Sequence, residues 1–392
     1  MMRILIAIAV LLGSAVPVVA SSHARESLAL GYQTEHADLV AMARLVSVAE
    51  DEAGDLRVVF SVTENIRGDA TTGTSLVVAY PDTDHTPPWR AGRNHLLFLA
   101  RRGSGDVYRA LTGPTSIRAI PEEGAIARLP GMVRRIAATL ADGDRPADRE
   151  ALQGLLVEWM QDPEPGVAWS AATDFVRRGD LHHGLNGARR AKVLAAFLAH
   201  PFGKASKDAL AMAVAAARPK GAGEALVSVL DGKAGRTIRG TIGEALAVLK
   251  DPAVPGLIAK RLETAEAAAR AGLVQVLGAV GGGESVAVAR KFVADASAEV
   301  RVEAAHALGR IARSVRTAKP DAKVAGTTDL EGMLAAAEDP RERQAALWAL
   351  AQLQDPEAVA LLTKLARDDE RKDVRRWAAR YRERPRLTLI LR

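Results

Sequence analysis

The 392-residue sequence contains no cysteine and few aromatic residues, and each shortage excludes a class of protein. Without cysteine the chain forms no disulfides, binds no zinc or iron–sulfur cluster through thiolates and has no thiol nucleophile. Aromatic residues make up only 4% of the chain, so the core must be largely aliphatic and rich in alanine. A core of small side chains favours closely packed helices over a large β-sandwich.

The long apolar run of the sequence lies near its start, from Ile4 to Val19, after the short cationic segment Met1–Arg3. It is about 16 residues long, which is less than the roughly 20 that a membrane-spanning helix needs. Small residues follow it as Val18-x-Ala20 and Ser22-x-Ala24, the spacing that a signal peptidase cleaves. These features predict a cleaved signal peptide over residues 1–24 and a protein that is periplasmic or secreted.

The net charge differs between two parts of the chain. Residues 25–125 contain 10 arginines, no lysine and 14 acidic residues, a net of −4. Residues 126–392 contain all 12 lysines and have a net charge of +9. This change predicts a domain boundary near residue 125. A basic exported protein is expected to meet anionic envelope polymers, membrane surfaces or acidic proteins, and not a specific nucleic acid.

Residues 25–125 have the pattern of a small β-domain. Val58, Phe60 and Val62 alternate along a strand predicted at Leu56–Thr63, and Glu64–Asp69 is expected to end that strand as a turn. The other predicted strands are Leu39–Val48, Ser75–Tyr80, Asn94–Ala100, Val107–Leu111 and Thr115–Ile120. About six short strands in this length predict a barrel or a sandwich.

Three motifs of this β-domain occur in the order ADLV, VVFSVTENIRGD and WRAGRNHLLFLARR. In this order they resemble exported OB-type barrels of the netrin and tissue-inhibitor-of-metalloproteinase kind. The resemblance implies an OB-like barrel. Members of that family usually begin with cysteines, which are absent here, so an inhibitory role is not implied.

The second part of the chain contains repeats at a constant spacing of 31 residues. The aligned segments are IRGTIGEALAVLKD from Ile238, ARAGLVQVLGAVGG from Ala269 and VRVEAAHALGRIAR from Val300. They share an arginine and a leucine at fixed places: Arg239, Arg270 and Arg301, then Leu246, Leu277 and Leu308. A further unit begins at Glu342 after a 42-residue step, and its extra residues are expected to form a loop near Thr317–Thr328.

Each unit is predicted to contain a second helix. The expected second helices are Ala253–Glu263, Ser285–Ala294, Leu330–Glu338 and Glu357–Arg367. Three Asp-Pro pairs, at Asp251, Asp339 and Asp355, are expected to start helices, because aspartate caps free N–H groups and proline is tolerated in the first turn. Small residues in the first helices are expected where neighbouring helices approach closely.

This pattern resembles the HEAT-repeat family, whose V-R-x-x-A-A-x-A-L-G motif is present at Val300–Gly309. The resemblance covers about 200 residues, from about 165 to 384, and implies a solenoid of paired helices with the second helices on the concave face. The predicted fold class is therefore α+β multidomain. A small OB-like barrel at 25–125 precedes a HEAT-like helical domain at 126–392.

The sequence contains no recognisable catalytic constellation. The motifs G-x-S-x-G and H-E-x-x-H and paired catalytic carboxylates are absent, so we expect a non-enzymatic protein without cofactor or metal. The pair His182-His183 beside Asp180 is a weak metal candidate, and a solvated turn is the favoured interpretation.

Basic residues recur at one place of the predicted second helices. Lys260 and Lys291 are equivalent by the 31-residue step, Lys364 follows two units later, and Met333 interrupts the series. The residues predicted to bind a partner are Lys260, Arg261, Arg290, Lys291, Lys364 and Arg367. The alternative is that they only solubilise a wet helix face. The basic segment 371–392 is a second positive patch or a polar cap of the last repeat.

The sequence therefore predicts an exported binding or scaffold protein that holds a protein or an anionic envelope polymer on a solenoid. One alternative is an accessory or maturation factor for an envelope enzyme, with the β-domain recognising the client. Another is a hydrolase or lyase with an unrecognised site. Acidic and histidine side chains that converge in one deep pocket would favour this alternative.

Overall fold

A computed structural model describes residues 30–50, 55–80, 89–102, 107–111, 116–121, 125–140, 146–201, 205–230 and 236–384. It divides the chain into two compact units, Met1–Leu152 and Gln153–Arg392. The predicted signal peptide at residues 1–24 lies outside the described residues. No helix in the described part of the chain is both long enough and apolar enough to span a membrane.

Five strands of the first unit close into a barrel. They are β1 (Leu39–Glu50), β2 (Leu56–Arg67), β3 (Ser75–Tyr80), β4 (Asn94–Arg101) and β5 (Val107–Ala110). Their order is β1-β2-β3-β5-β4 with β4 returning to β1, and the pairing between β3 and β5 is parallel. A short strand β6 (Ile117–Ala119) pairs with β4 beyond the end of β5. The pairing of β4 with β1 over Leu39–Arg44 closes the sheet and removes its free edge there.

The predicted alternation in β2 is confirmed, because Val58, Phe60 and Val62 are buried in the barrel core. The same core contains Leu76, Val78 and Tyr80 of β3 and Leu97 and Leu99 of β4. Full burial of each large aliphatic or aromatic side chain contributes about 1.5–3 kcal/mol of transfer free energy. The barrel is therefore stabilised by a compact core that includes aromatic side chains.

Strand β2 continues beyond its predicted end. Residues 64–67 were expected to form a turn, but Glu64 pairs with Met42 and Arg67 with Val40, so the ladder with β1 runs to the end of the strand. The chain turns at Gly68, which has a φ of +99°. A Cβ atom there would lie 2.6 Å from the carbonyl oxygen of Asp38, so this turn requires glycine.

Two helices pack on the barrel. Helix α1 (Leu30–His36), which the sequence did not predict, contacts β4, and helix α2 (Leu129–Thr139) contacts both α1 and β2. Arg134 of α2 donates two hydrogen bonds of 2.6 Å to the carboxylate of Glu64 in β2. Glu64 lies in the part of β2 that was expected to be a turn. This extension of the strand therefore helps to hold α2 on the barrel.

The second unit consists of paired helices, and helix α3 (Pro146–Trp159) spans the division between the units. The first helices of the pairs are α4 (Pro165–Arg177), α6 (Ala205–Ala217), α8 (Arg236–Leu249), α10 (Ala267–Val280), α12 (Ala298–Ala318), α14 (Pro340–Leu353) and α16 (Lys372–Glu383). The second helices are α5 (Gly187–Ala199), α7 (Ala222–Ser228), α9 (Val254–Leu262), α11 (Gly283–Lys291), α13 (Thr327–Ala336) and α15 (Pro356–Asp368).

The first helices form one layer, in which each packs against the next from α4 to α16. Each second helix packs on the first helix that follows it. Helices α6, α8, α10 and α12 begin at residues 205, 236, 267 and 298, so the 31-residue period is confirmed. Leu246, Leu277 and Leu308 occupy the same place in this layer and are almost fully buried.

Part of the predicted loop near Thr317–Thr328 is helical. Helix α12 has 21 residues, whereas α8, α10 and α14 each have 14. Most of the extra length of the 42-residue step therefore extends α12 by about two turns. The remaining connection covers residues 319–326.

The small residues of the first helices permit close contact between neighbours. A Cβ atom on Gly278 would lie 2.6 Å from Cα of Ala307 in the next first helix. A Cβ atom on Gly309 would overlap the ring of Trp348. Side chains larger than hydrogen are therefore excluded at both crossings.

Two of the three predicted Asp-Pro helix starts are confirmed. Asp339 and Asp355 cap α14 and α15 by accepting from the backbone N–H groups of Arg341 and Ala358, both at 2.8 Å. The prediction for Asp251 is wrong, because α9 begins three residues later at Val254. Asp251 accepts instead from the N–H of Ala253 at 2.9 Å and stabilises a turn before the helix.

Candidate partner-binding surface

Four arginines near the starts of first helices form what we call the arginine ladder: Arg270, Arg301, Arg343 and Arg375. Each uses Nη1 to donate to backbone carbonyls five or six residues earlier. Arg301, for example, donates to Asp295 and Ala296 at 2.7 and 3.1 Å. The other three make the same kind of contact. The ladder thus holds the turn that precedes each first helix.

Three ladder arginines also pair with a carboxylate that comes later in the chain. Arg270 binds Asp295 through two hydrogen bonds of 3.0 and 3.1 Å, and Arg301 binds Glu342 at 2.7 and 2.9 Å. Arg343 donates to Asp373 at 2.8 Å. The hydrogen bonds to Glu342 raise the pKa of Arg301 above its ordinary value. These pairs connect consecutive repeats and fix their side chains in place.

The sequence aligned Arg239, Arg270 and Arg301 but did not identify their carboxylate partners. The missed signal is an acidic residue near the start of the following first helix, at Asp295 or Glu342. Because the spacing from arginine to carboxylate is 25 residues in one case and 41 in the other, no fixed period reveals it.

A groove of about 770 Å³ lies between second helices α11 and α13 and the starts of first helices α12 and α14. We call it the second-helix groove. Its apolar lining comes from Val293, Ala294, Ala298, Gly332, Met333 and Ala336. Its charged lining comes from Arg290, Asp295, Arg301, Asp329, Glu338, Asp339 and Glu342. The lining of this groove contains no histidine, so the acid–histidine combination that would favour the hydrolase alternative is not found there.

Most charges of the second-helix groove are held in ion pairs. Arg290 of α11 donates to Asp329 of α13 at 2.5 Å, and Arg301 is fixed by Glu342. Asp339 accepts from Arg341, and these hydrogen bonds lower the pKa of Asp339. The groove therefore presents apolar atoms beside charges that are compensated in ion pairs.

The six residues predicted to bind a partner differ in their environments. Lys260, Lys291 and Lys364 are exposed on α9, α11 and α15, and none of them forms an ion pair with another residue that the structure describes. Arg290 lines the groove, as does Met333 at the interruption of the lysine series.

The two remaining predicted arginines are less available. Arg367 binds the neighbouring carboxylate of Asp368 at 2.7 and 2.8 Å, so its charge is largely compensated. Arg261 is half-buried on α9. Among the six predicted residues, the exposed positive charges outside any described ion pair are therefore those of the three lysines.

His182 has a structural contact. Its Nε2 atom lies 2.8 Å from the carbonyl oxygen of Phe175, and the two rings are 5.0 Å apart. Across the described ranges, no three histidine or acidic residues are placed to share a metal ion.

One end of the barrel core contains an aromatic cluster of Phe60, Tyr80, Trp89 and His95. The ring centroids of Tyr80 and Trp89 are 5.4 Å apart, and those of Phe60 and His95 are also 5.4 Å apart. Burial raises the pKa of Tyr80 to about 12 and lowers that of His95 below its ordinary value. These side chains pack within the barrel core.

Comparisons with known proteins agree with the helical repeats. Residues 325–381 match the family model for HEAT repeats, which covers the region from α13 to α16. The HEAT-like character predicted for the C-terminal region is therefore confirmed. A sequence comparison with curated proteins finds no match.

Three solved structures show partial similarity to this chain. The complex of CpcE and CpcF of phycocyanin lyase from Nostoc is 16% identical over 58% of this chain and 85% of that chain, with a TM-score of 0.32. Human deoxyhypusine hydroxylase in complex with glycerol is 19% identical over 59% and 94%, with a TM-score of 0.25. An engineered protein is 18% identical over 66% and 75%, with a TM-score of 0.33.

Proposed function

We propose that this protein is an exported, non-catalytic binding or scaffold protein that holds a protein partner on its HEAT-like repeats. The observation that carries the proposal is the second-helix groove. It combines a volume of about 770 Å³ and an apolar lining around Met333 with charges fixed by ion pairs between repeats. A pre-organised surface of this kind loses little side-chain entropy when a partner binds.

We propose that the protein is exported because residues 1–24 have the pattern of a signal peptide. N-terminal sequencing of protein purified from its host tests it. A mature chain that begins near Ser21 or Arg25 supports export. An intact Met1 on the protein overturns it.

The barrel is proposed to be of the OB type and to occupy residues 25–125, with the helical domain at 126–392. The strand order β1-β2-β3-β5-β4, closed by β4 on β1, supports this assignment, as does the parallel pairing of β3 with β5. In the maturation-factor alternative, this barrel would contact the client enzyme.

Blocking the second-helix groove tests whether a partner protein binds there. Gly332 lines the groove on α13, and a Cβ atom there meets no other atom within 4 Å. Gly332→Trp should therefore fill the groove without disturbing the fold. Gly240→Trp on α8 is the matched control, because Gly240 is equally unobstructed but lies outside the groove.

The experiment captures partners from envelope extract with the full chain and identifies them by mass spectrometry. Proteins retained by wild type and by Gly240→Trp should be lost with Gly332→Trp, while circular dichroism and the thermal midpoint of both variants match. If Gly332→Trp retains the same proteins at the same level, the groove is not the binding site. If no protein is retained by wild type, the protein-partner proposal fails.

The anionic-polymer alternative depends on Lys260, Lys291 and Lys364. Reversal of all three to glutamate changes this face by six charge units and should leave the fold intact, because exposed substitutions usually shift stability by no more than about 0.5 kcal/mol. Loss of a polymer from the retained material in this variant, with retention in Gly332→Trp, would favour the polymer alternative. Binding of the polymer to the wild-type protein would also weaken with added salt.

A further inference from the structure

The last helix of the array has an aromatic residue on a strongly basic surface. Helix α16 buries Val374, Ala378 and Tyr381 against α14 and α15, and no described helix follows it. Trp377 is half-buried at the edge of this contact. A terminal repeat that served only as a cap would present polar side chains there. An indole ring among arginines is the composition of an interaction hot spot.

The Trp377 ring is held by its neighbours. It stacks on Tyr381 with ring centroids 5.6 Å apart and an interplanar angle of 19°. Tyr381 is fixed in turn, because it is buried and its hydroxyl accepts from Nε2 of Gln344 at 3.3 Å. We call the stacked rings of Trp377 and Tyr381 the aromatic platform. It is held in place before any partner binds, which lowers the entropic cost of binding.

Two guanidinium groups lie over the same indole. The Cζ atoms of Arg376 and Arg380 are 5.4 and 5.3 Å from the Trp377 ring centroid. Both arginines are exposed, and neither forms an ion pair with a carboxylate in the part of the chain that the structure describes. Cation–π contact keeps the planar groups in place while their N–H donors stay available for carboxylates.

We propose that Arg376, Trp377 and Arg380 form a docking surface for an acidic segment of a partner protein. Charge complementarity supports this occupant, since two adjacent uncompensated guanidiniums favour paired carboxylates. A lipid surface fits less well, because apart from the single ring of Trp377 the large apolar side chains of α16, Val374 and Tyr381, are buried and leave no apolar face to insert. This surface is separate from the second-helix groove and does not depend on it.

The test measures binding of a short fluorescein-labelled peptide rich in glutamate to the full chain by anisotropy at low salt. The double variant Arg376→Gln/Arg380→Gln should bind it about tenfold more weakly than wild type. The matched control is Lys372→Gln/Arg382→Gln, which removes the same charge from α16 without touching the Trp377 ring. It should bind within about twofold of wild type.

Two further measurements decide the role of the aromatic platform. Trp377→Leu should weaken binding although it changes no charge, and Arg376→Lys/Arg380→Lys should restore only part of the affinity. Equal loss in both double variants would show attraction by net charge alone and overturn the proposal. Tighter binding of wild type to vesicles containing phosphatidylglycerol than to the peptide would also overturn it, in favour of a membrane surface.

Discussion

The barrel and the helical array reach a stable fold without disulfides by different means. The barrel concentrates its core in large side chains such as Phe60 and Tyr80 and closes the sheet on itself. The layer from α10 to α14 buries mainly alanine, leucine, valine and glycine, and adds arginine–carboxylate pairs between repeats. Stability in the barrel therefore depends on a few residues, whereas in the array it depends on many small contacts that recur in each unit.

We expect the largest loss of stability from a substitution in the barrel core. Phe60→Ala removes a fully buried ring from the barrel core and should lower the free energy of unfolding by about 3–5 kcal/mol. Hydrogen exchange of β1, β2 and β3 measures it. Val46→Ala on the exposed side of β1 is the control and should change exchange little. Equal behaviour of the two variants would contradict a core role for Phe60.

Leucines of the array give the corresponding test. Leu277→Ala and Leu308→Ala each remove a side chain with no exposed surface and should cost about 2–5 kcal/mol. Urea unfolding followed by far-ultraviolet circular dichroism measures the loss. An unchanged midpoint for either variant would show that the shared leucine is not part of a common core.

The arginine ladder is tested at Arg301. Its replacement by glutamine leaves Glu342, whose side chain is 4% exposed, without its charged partner. We expect a loss of about 1–3 kcal/mol, because a buried acceptor loses hydrogen bonds. Arg341→Gln is the control, since that pair is on the surface and its loss should not be measurable. Similar melting curves for the two variants would mean that the ladder does not stabilise the repeats.

The close helix crossing is tested at Gly278. Alanine there would place Cβ 2.6 Å from backbone of the next first helix, so Gly278→Ala should destabilise the array by about 1–3 kcal/mol. Gly240→Ala meets no atom within 4 Å and should stabilise α8 by up to about 1 kcal/mol. Thermal unfolding should therefore shift in opposite directions. A shift of the same sign in both would contradict the crossing geometry.

The smallest predicted effect is on how stability changes with pH, through the ion pair that joins α2 to β2. The hydrogen bonds from Arg134 lower the pKa of Glu64 from its ordinary value of 4.5. A lowered pKa in the folded state stabilises the fold above about pH 4.5, and this contribution is lost as the pH falls through the folded value. Because the pair is partly exposed, the gain at neutral pH is below about 1 kcal/mol.

Glu64→Gln removes this contribution and provides the measurement. The difference between the thermal midpoints of wild type and variant should be greatest at neutral pH and should disappear in acid. A difference that stays constant with pH would show that the ion pair contributes nothing.

Periodic features were predictable from sequence, and contacts between distant segments were not. The 31-residue period predicted α8, α10 and α12 as equivalent first helices, because each unit repeats the same packing, and α6 follows the same period. The seven residues of α1 are too few to show a helical period. The turn expected at Glu64–Asp69 begins only at Gly68, because pairing with Met42 and Val40 outweighs the local turn preference of Asn65.

The candidate site was predictable only in part. Recurrence placed Arg290 and Met333 on second helices, and both line the groove. The ion pair between Arg290 and Asp329 joins residues 39 positions apart, across the lengthened α12. No local pattern encodes that pairing, because it depends on how two second helices lie after the insertion. The proposed surface at Trp377 was visible only as a basic segment.

The arginine ladder gives the array a direction. Arg270, Arg301 and Arg343 each pair with a carboxylate from residues that are synthesised later. Within the part of the chain that the structure describes, Arg375 donates hydrogen bonds only to carbonyls that precede it. During synthesis, the guanidinium of each new repeat therefore lacks its carboxylate partner until the residues that supply it leave the ribosome. An array truncated between repeats would end in such a group, so the order of translation is also the order in which the repeats complete one another.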